Sequence, residues 1–596
     1  MNDRQLKELI LAAKGKLPFD IYFYNARIVD VYRERIIDSG SVGIKNGIIA
    51  AVCPNFEPGA TEFIDCRGMY LAPSFIDAHM HIESSKLTPF AYCEGAVPHG
   101  TGCVFFDPMQ MSNTLGLKGI KAICEMLWEM PIESFLQLSS QYLSTLKTQD
   151  DITNVIKECR AKTVGEISGA VVGNEEIIKL LGAAKRAGVK VNGHCPSMGF
   201  RDVQQAACAG LCDDHECESI SDLEQRLACG MAVLVREGTI EPNCRTLCEG
   251  IVKNHIPTDD IMFCTDDKSA EDIKENGCID NALRIAVKCG ISPVSAIKMA
   301  TLNAARHYGV DDIIGSVAPS RKANFLLMDS LENMTVKKVY HQGRLVAENG
   351  EFLCGHEFDI TCYPELKNTV ILPRGLDSHS FEIKAGFERG YVTANAIEMP
   401  EGGIVTRLVK GRLEVSNGIV CGDTKADILP IFVAERFGRS GEIGSGFIKG
   451  LGIKRGAVAA SFAQESNNVV VSGVDPADML CAVKAVEANG GGAAMAIDGK
   501  VAGLYSLPVA GILSGENIAG EIKAQKAFRE ALALTGGNIQ RMTAVLTVSL
   551  CQTIPEVGLT EKGLFDVTQQ RYIPTFTGGE EFEEKARKCN NDRGRP

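Results

Sequence analysis

The segment FIDAHMHIESS at residues 75–85 sets two histidines one residue apart at the end of an apolar run. On a strand, residues i and i+2 share a face, so His79 and His81 project together. Paired imidazoles of this kind suit a divalent transition metal. Two single histidines follow, His194 in VKVNGHCP and His215 in LCDDHE, each closing a strand-like or turn-ending segment. Asp266 in IMFCTDDK ends another apolar run. A carboxylate is wanted between the first pair and the later histidines. Glu166 in AKTVGEISGA and Glu176 are the candidates, and Glu166, after a short apolar step, is the better one. A carboxylate there could bridge two ions about 3.5–4 Å apart. The set reads as a metal-dependent hydrolase with ligands His79, His81, Glu166, His194, His215 and Asp266. Cys195, beside His194, reads as a small core residue.

These residues need a scaffold that brings strand ends together. Over residues 71–310 short apolar strands alternate with helical patterns, including helices near 115–130 and 202–210. That rhythm predicts βα units and a parallel sheet, closed here as an α/β TIM-type barrel whose site lies at the carboxyl ends of the strands. Residues 1–70 open with a short amphipathic helix and continue in hairpin texture, with a turn at Lys45-Asn46-Gly47. The same texture returns over 311–358, with a turn at Gln342-Gly343. The two flanks are expected to assemble one composite β-sandwich. From 359 to 596 the pattern is that of a C-terminal α+β domain, with a turn at Asp498-Gly499 and helices near 476–489 and 516–535. The last dozen residues read as a frayed tail.

Composition fits this reading. The chain has 596 residues, 45% hydrophobic and 23% charged, which is ordinary for a globular protein of two or three domains. A net charge of -13 repels nucleic acid and anionic membrane surfaces, so neither is an expected partner. The 22 cysteines are scattered and read as reduced thiols. The N-terminal stretch is charged throughout, and no apolar run approaches the roughly 20 residues that span a bilayer. A cytoplasmic location is expected.

The motifs resemble those of the amidohydrolase superfamily, and within it the bacterial adenine deaminases. The matching pieces are NARIVDV, APSFIDAHMHIESS, VPHGT, NGHCP, DDHE, LVREGT, CTDD and AIKMATLNAARHYG, then VVVSGVDPADM, ANGGGAAMAIDGKV and LPVAGILS. The resemblance covers nearly the whole chain. It implies a dinuclear site of manganese, iron or zinc on the six ligands above. It also implies hydrolytic deamination of adenine, an attack at a C–N bond of a cyclic amidine. Asp266 would move the water proton, and Glu83 would protonate the purine ring. Glu83, Ser84 and Asp107 would contact this small-molecule substrate, and a homo-oligomer is the family's expectation. A cytidine-type zinc deaminase would need P-C-x-x-C after H-x-E, and the chain has none.

Three departures bear on the substrate. Where the family reads D-P-H-E this chain has Asp107-Pro108-Met109-Gln110, and where it reads H-D-S-H-N the chain has Gln464-Glu465-Ser466-Asn467-Asn468. It is also shorter after Glu166. If the C-terminal domain folds over the barrel mouth, all three changes would line one pocket. Losing hydrogen bonds that a site was built to make costs about 10⁴-fold or more on that substrate. Two alternatives therefore stand beside adenine. One is a deaminase or cyclic-amide hydrolase acting on another heterocycle, and the other is a catalytically weak purine-binding paralogue.

Overall fold

The computed structural model describes residues 1–355, 358–399, 405–547, 550 and 556–581. The expected frayed tail lies outside the described residues. The chain divides into two compact units, residues 1–365 with 513–523, and residues 366–512 with 524–596.

The first unit contains eight parallel barrel strands, Phe75–Met80, Thr101–Phe106, Glu133–Leu138, Thr163–Ser168, Lys190–His194, Asp213–Asp214, Ala232–Arg236 and Ile261–Cys264. Each pairs with the next, the fifth and sixth through a bridge from Val191 to Leu211. The ring closes where Met80 of the first strand bridges Asp266, just past the eighth. Asp266 N–H donates to His79 O at 3.0 Å, and His81 N–H donates to Asp266 O at 3.3 Å. Asp77 seals the same seam, accepting the Thr265 backbone N–H at 3.0 Å and its hydroxyl at 2.5 Å. Alternate strand residues, Ile76, Ala78, Cys103, Phe105, Leu234, Met262 and Cys264, pack with Ala304, Tyr308 and Val310. This is the expected TIM-type architecture.

The flanks of the barrel meet in one hydrogen-bonded sheet of nine strands. Tyr70–Pro73 is the stitch. It runs parallel to Phe19–Asp30 through Arg27 opposite Tyr70, and antiparallel to Phe325–Ser330 through Phe325 opposite Pro73. Two residues later the first barrel strand begins, so this sheet fixes where His79 stands. The hairpin turns form as read. Asn46-Gly47, Gln342-Gly343 and Asp498-Gly499 all have φ between 49° and 79° at both residues. Such paired left-handed residues are what a two-residue turn demands. The N-terminal helix Asp3–Ala13 carries a capping box from Asn2 to Gln5.

The second unit is built on a ten-stranded sheet with helix Pro476–Ala488 against it. Its core holds Phe432, Phe447, Val471, Met479 and Val483. Leu513–Lys523 belongs instead to the barrel unit, although the sequence gives no break there. Ser514 N–H donates to Lys86 O at 2.8 Å and Ile518 N–H to the Glu94 carboxylate at 3.2 Å. Gly95 makes room for this segment, since a Cβ there would lie 2.5 Å from Ile518 Cδ1.

A buried ion pair ties the fifth and sixth strands to a neighbouring helix. Arg226, on helix Ile220–Ala228, donates to Asp214 Oδ2 at 2.8 Å and to the Cys195 and Met198 carbonyls. Arg226 and Asp214 are both fully buried. Replacing Arg226 by Ala would strand that carboxylate, a loss of about 3–5 kcal/mol. We expect chemical denaturation of Arg226→Ala to show a barrel transition weakened by that amount; an unchanged transition would mean that the pair adds nothing.

Candidate metal centre

Six of the eight barrel strands deliver a group to one cluster at their carboxyl ends. The first gives His79 and, one residue past it, His81. The fourth gives Glu166 and the fifth His194; His215 and Glu216 follow the sixth, Arg236 ends the seventh, and Asp266 follows the eighth. Glu166 is the hub. Its carboxylate lies 3.7 Å from His79 Nε2, 3.7 Å from His81 Nε2, 3.3 Å from His194 Nδ1 and 3.1 Å from His215 Nε2. Asp266 Oδ1 lies 3.8 and 3.5 Å from His79 and His81. All six expected ligands thus converge. Glu176 does not join them; it is exposed on helix Glu175–Ala187 and pairs with Lys179.

The hydrogen bonds behind the histidines fix which nitrogen faces the cluster. The second strand leads into Asp107, whose backbone carbonyl accepts from His81 Nδ1 at 2.9 Å. The third carries Gln137, whose Nε2 donates to Ala78 O and to the Tyr308 hydroxyl. That leaves Gln137 Oε1 as the acceptor for His79 Nδ1–H, at 2.7 Å. Both Nε2 lone pairs then point inward. His79 Nε2 is buried and makes no hydrogen bond. An isolated buried lone pair is costly, and a coordinated cation is the partner that satisfies it. The donor separations also fit ligands that share an ion, being too long for good hydrogen bonds in the His79 and His81 contacts. His79, Glu166 and His215 form one set of three donors, and His79, His81 and Asp266 another. The residues present therefore fit a divalent metal.

Charge supports the same fit. Burial opposes protonation of His81, yet Glu166, Asp267, Asp266 and Asp107 outweigh it and push it up to about 10. His194 rises to about 9 against burial, through Glu216 and Glu166. His79, by contrast, is held down to about 4 by burial and by His215 and His81. Excess negative charge holds protons on the imidazoles that a cation would displace.

Two groups in the cluster were not foreseen from sequence. Glu216 lies 3.2 Å from His215 and 3.4 Å from His194. Arg236 donates to Glu216 Oε1 at 2.5 Å, to Asp266 Oδ2 at 2.8 Å and to Glu241. Both sat inside quoted motifs, DDHE and LVREGT, but nothing local distinguishes them from a solvated acid and a surface arginine. Burial raises the Asp266 carboxyl, and Arg236 with His215, His81 and His79 more than reverses this, leaving it below its ordinary range. Asp266 has φ of +54°, rare for a residue with a side chain, at the seam where the ring closes.

Of the expected substrate contacts, Glu83 and Ser84 follow His81, and Asp107 follows the second barrel strand. Glu83 is fully buried; Oε1 accepts Met111 N–H at 3.1 Å and Oε2 has no hydrogen bond. Burial raises its carboxyl above the usual range. The Asp107 carboxyl is buried and raised further, chiefly by burial, with Oδ1 unbonded. Gly165 gives it room, since a Cβ there would come within 2.0 Å of Asp107 Oδ2. Ser84 turns its hydroxyl onto Asp267, one of the carboxylates whose charge raises His81. Cys195 is a buried thiol pushed up to about 12 by burial, as a core residue should be. Met109 and Gln110 are buried at the start of helix Met109–Leu115, the helix that holds Glu83. Gln464–Asn468 lies in the second unit, where Asn467 O and Asn468 Oδ1 accept from buried Arg436.

Residues 70–346 match the amidohydrolase family, and residues 403–571 match the adenine deaminase C-terminal domain. An adenine deaminase of Desulforamulus reducens is 34% identical over 96% of this chain and 98% of its own. One of Dehalococcoides mccartyi is 33% identical over 96% and 99%. The chain belongs to the adenine deaminase family. A third member, adenine deaminase 2 of Desulfotalea psychrophila, is 34% identical over 96% and 99%. Within the adenine deaminase family frame, the cluster above occupies the amidohydrolase segment, and Gln464–Asn468 the C-terminal domain.

Outer partners of metal-ligating histidines typically contribute 10–100-fold to affinity (an estimate of about that order). Gln137→Leu is expected to weaken metal retention by about 10–100-fold in competition with a chelator. Metal binding near pH 7 should also release protons, read by calorimetry in buffers of different ionisation enthalpy, and affinity should fall as pH falls. Proton-neutral binding would contradict the charge balance described.

Proposed function

We propose that the chain hydrolyses adenine to hypoxanthine and ammonia. What carries this reading is the convergence of His79, His81, Glu166, His194, His215 and Asp266 in a chain that aligns end to end with adenine deaminases. The six residues would hold two divalent ions, manganese, iron or zinc all being compatible with the donors. Bound there, such ions supply the Lewis acidity that brings water within reach of deprotonation near neutral pH.

The chain's own groups then account for the protons. Asp266, kept ionised beside Arg236, accepts a proton from the attacking water and returns it to the departing amino nitrogen. Glu83, kept protonated by burial, gives its proton to a ring nitrogen as charge develops there. The second water hydrogen restores Glu83. The C6–N bond breaks, a C6–O bond forms, and ammonia leaves. Ser84 and Asp107 flank this path, Ser84 through Asp267 and Asp107 through its unbonded oxygen. The reading places the enzyme in the cytoplasm, in purine metabolism, acting on a free small molecule.

Met109 favours a second reading. Its apolar side chain is buried at the head of the helix that anchors Glu83, a place suited to a less polar ring edge than adenine offers. A different aminoheterocycle or a cyclic amide would then be the better substrate.

Ammonia release from adenine by manganese-loaded enzyme, beside a screen of other heterocycles for deamination and ring opening, decides between them. We expect turnover of adenine and its reduction by about 10²–10⁴-fold in Asp266→Asn, in keeping with loss of a general base. Turnover of another heterocycle with none of adenine would overturn the substrate and keep the hydrolase. Full activity in Asp266→Asn would overturn the proton route.

A further inference from the structure

A further set of three donors lies at the start of the sixth barrel strand. Cys212 Sγ stands 3.4 Å from Asp213 Oδ2 and 3.7 Å from His307 Nε2, and His307 Nε2 stands 2.7 Å from Asp213 Oδ2. These three side chains form a thiol, carboxylate and imidazole set in contact with one another. None belongs to the cluster around Glu166.

We propose that Cys212, Asp213 and His307 form a second cation site, one that takes a thiophilic divalent ion such as zinc or cadmium. Zinc bonds of about 2.3 Å to sulfur and about 2.0–2.2 Å to nitrogen and oxygen imply ligand separations of about 3.3–3.7 Å around a tetrahedron. Two of the three separations already have that length. The third is a hydrogen bond that widens when a cation takes the place of the shared proton. A thiolate and a carboxylate balance the charge of one divalent ion, and the neutral imidazole completes three protein ligands, leaving a fourth position for water. Cys212 is half-buried, while the His307 side chain is mostly buried and Asp213 is buried.

Outer-shell contacts already hold the carboxylate in place. Asp213 Oδ1 accepts Gly193 N–H at 3.1 Å and Oδ2 accepts Asn192 Nδ2 at 2.8 Å. Asn192 Nδ2 also donates to the Tyr308 hydroxyl, and Gln137 Nε2 donates to the same hydroxyl. An unbroken chain of polar contacts therefore runs from His307 through Asp213, Asn192, Tyr308 and Gln137 to His79. The donor sets differ in kind. The centre around Glu166 offers no sulfur, whereas this site does, which separates the metals each prefers.

The test uses the full chain with its first centre filled by manganese. Cadmium is then added and the ultraviolet charge-transfer absorption of a cadmium–thiolate bond is followed. We expect one cadmium per chain with that absorption in the wild type. Cys212→Ser, nearly isosteric, should lose the absorption, and His307→Ala should weaken binding by about tenfold or more while adenine turnover of the manganese form persists. Absorption undiminished in Cys212→Ser, or no absorption in the wild type, overturns the site. Tight binding that is indifferent to His307→Ala overturns the three-donor geometry.

Discussion

Three carboxylates and four imidazoles share a largely buried space, with Glu166 within 3.7 Å of all four rings. Desolvated like charges repel strongly, so the arrangement is costly unless positive charge is brought to it. Arg236 supplies part, reaching Glu216 and Asp266 together. Protons on His81 and His194 supply more. A divalent cation would replace those protons and leave the lone pairs free to coordinate. The rest of the barrel can be understood as the frame that keeps these groups from moving apart.

That frame works through contacts made well below the cluster. Gln137 holds the His79 ring by its Nδ1, and is itself oriented by Ala78 O and the Tyr308 hydroxyl. Asp77 ties the first strand to Thr265, one residue before Asp266. Arg226 fastens the loop after His194 to the strand before His215. His79, Asp266, His194 and His215 thus rest on buried polar bonds that tie one element to another. The nine-stranded sheet adds a further constraint, because Tyr70–Pro73 joins both flanks immediately before the first barrel strand.

Much of this was legible in the sequence, for reasons that are local. His79, His81, Glu166, His194, His215 and Asp266 lie within or just past strands, and a strand end in a parallel barrel points to the site wherever it falls in the chain. The Asn46-Gly47 and Gln342-Gly343 turns were legible because left-handed backbone needs particular residues. Glu216 and Arg236 were not singled out, since an acid and an arginine gain their roles only from partners brought in by folding. Gln137 pairs with His79 across 58 residues, which no spacing rule reaches. The return of Leu513–Lys523 to the barrel unit was equally hidden, because it rests on a fit between Ile518 and Gly95. Met109 and Gln110 were flagged by the family pattern, and their burial beside the Glu83 anchor gives that departure a physical meaning.

We propose that the cluster around Glu166 holds a pair of cations. Metal stoichiometry after reconstitution and removal of loosely held ions tests it most directly, with the wild type and Glu166→Ala measured side by side. Two ions per chain are expected in the wild type and no more than one in Glu166→Ala. A wild type that retains none, or a Glu166→Ala variant that keeps both, would contradict it.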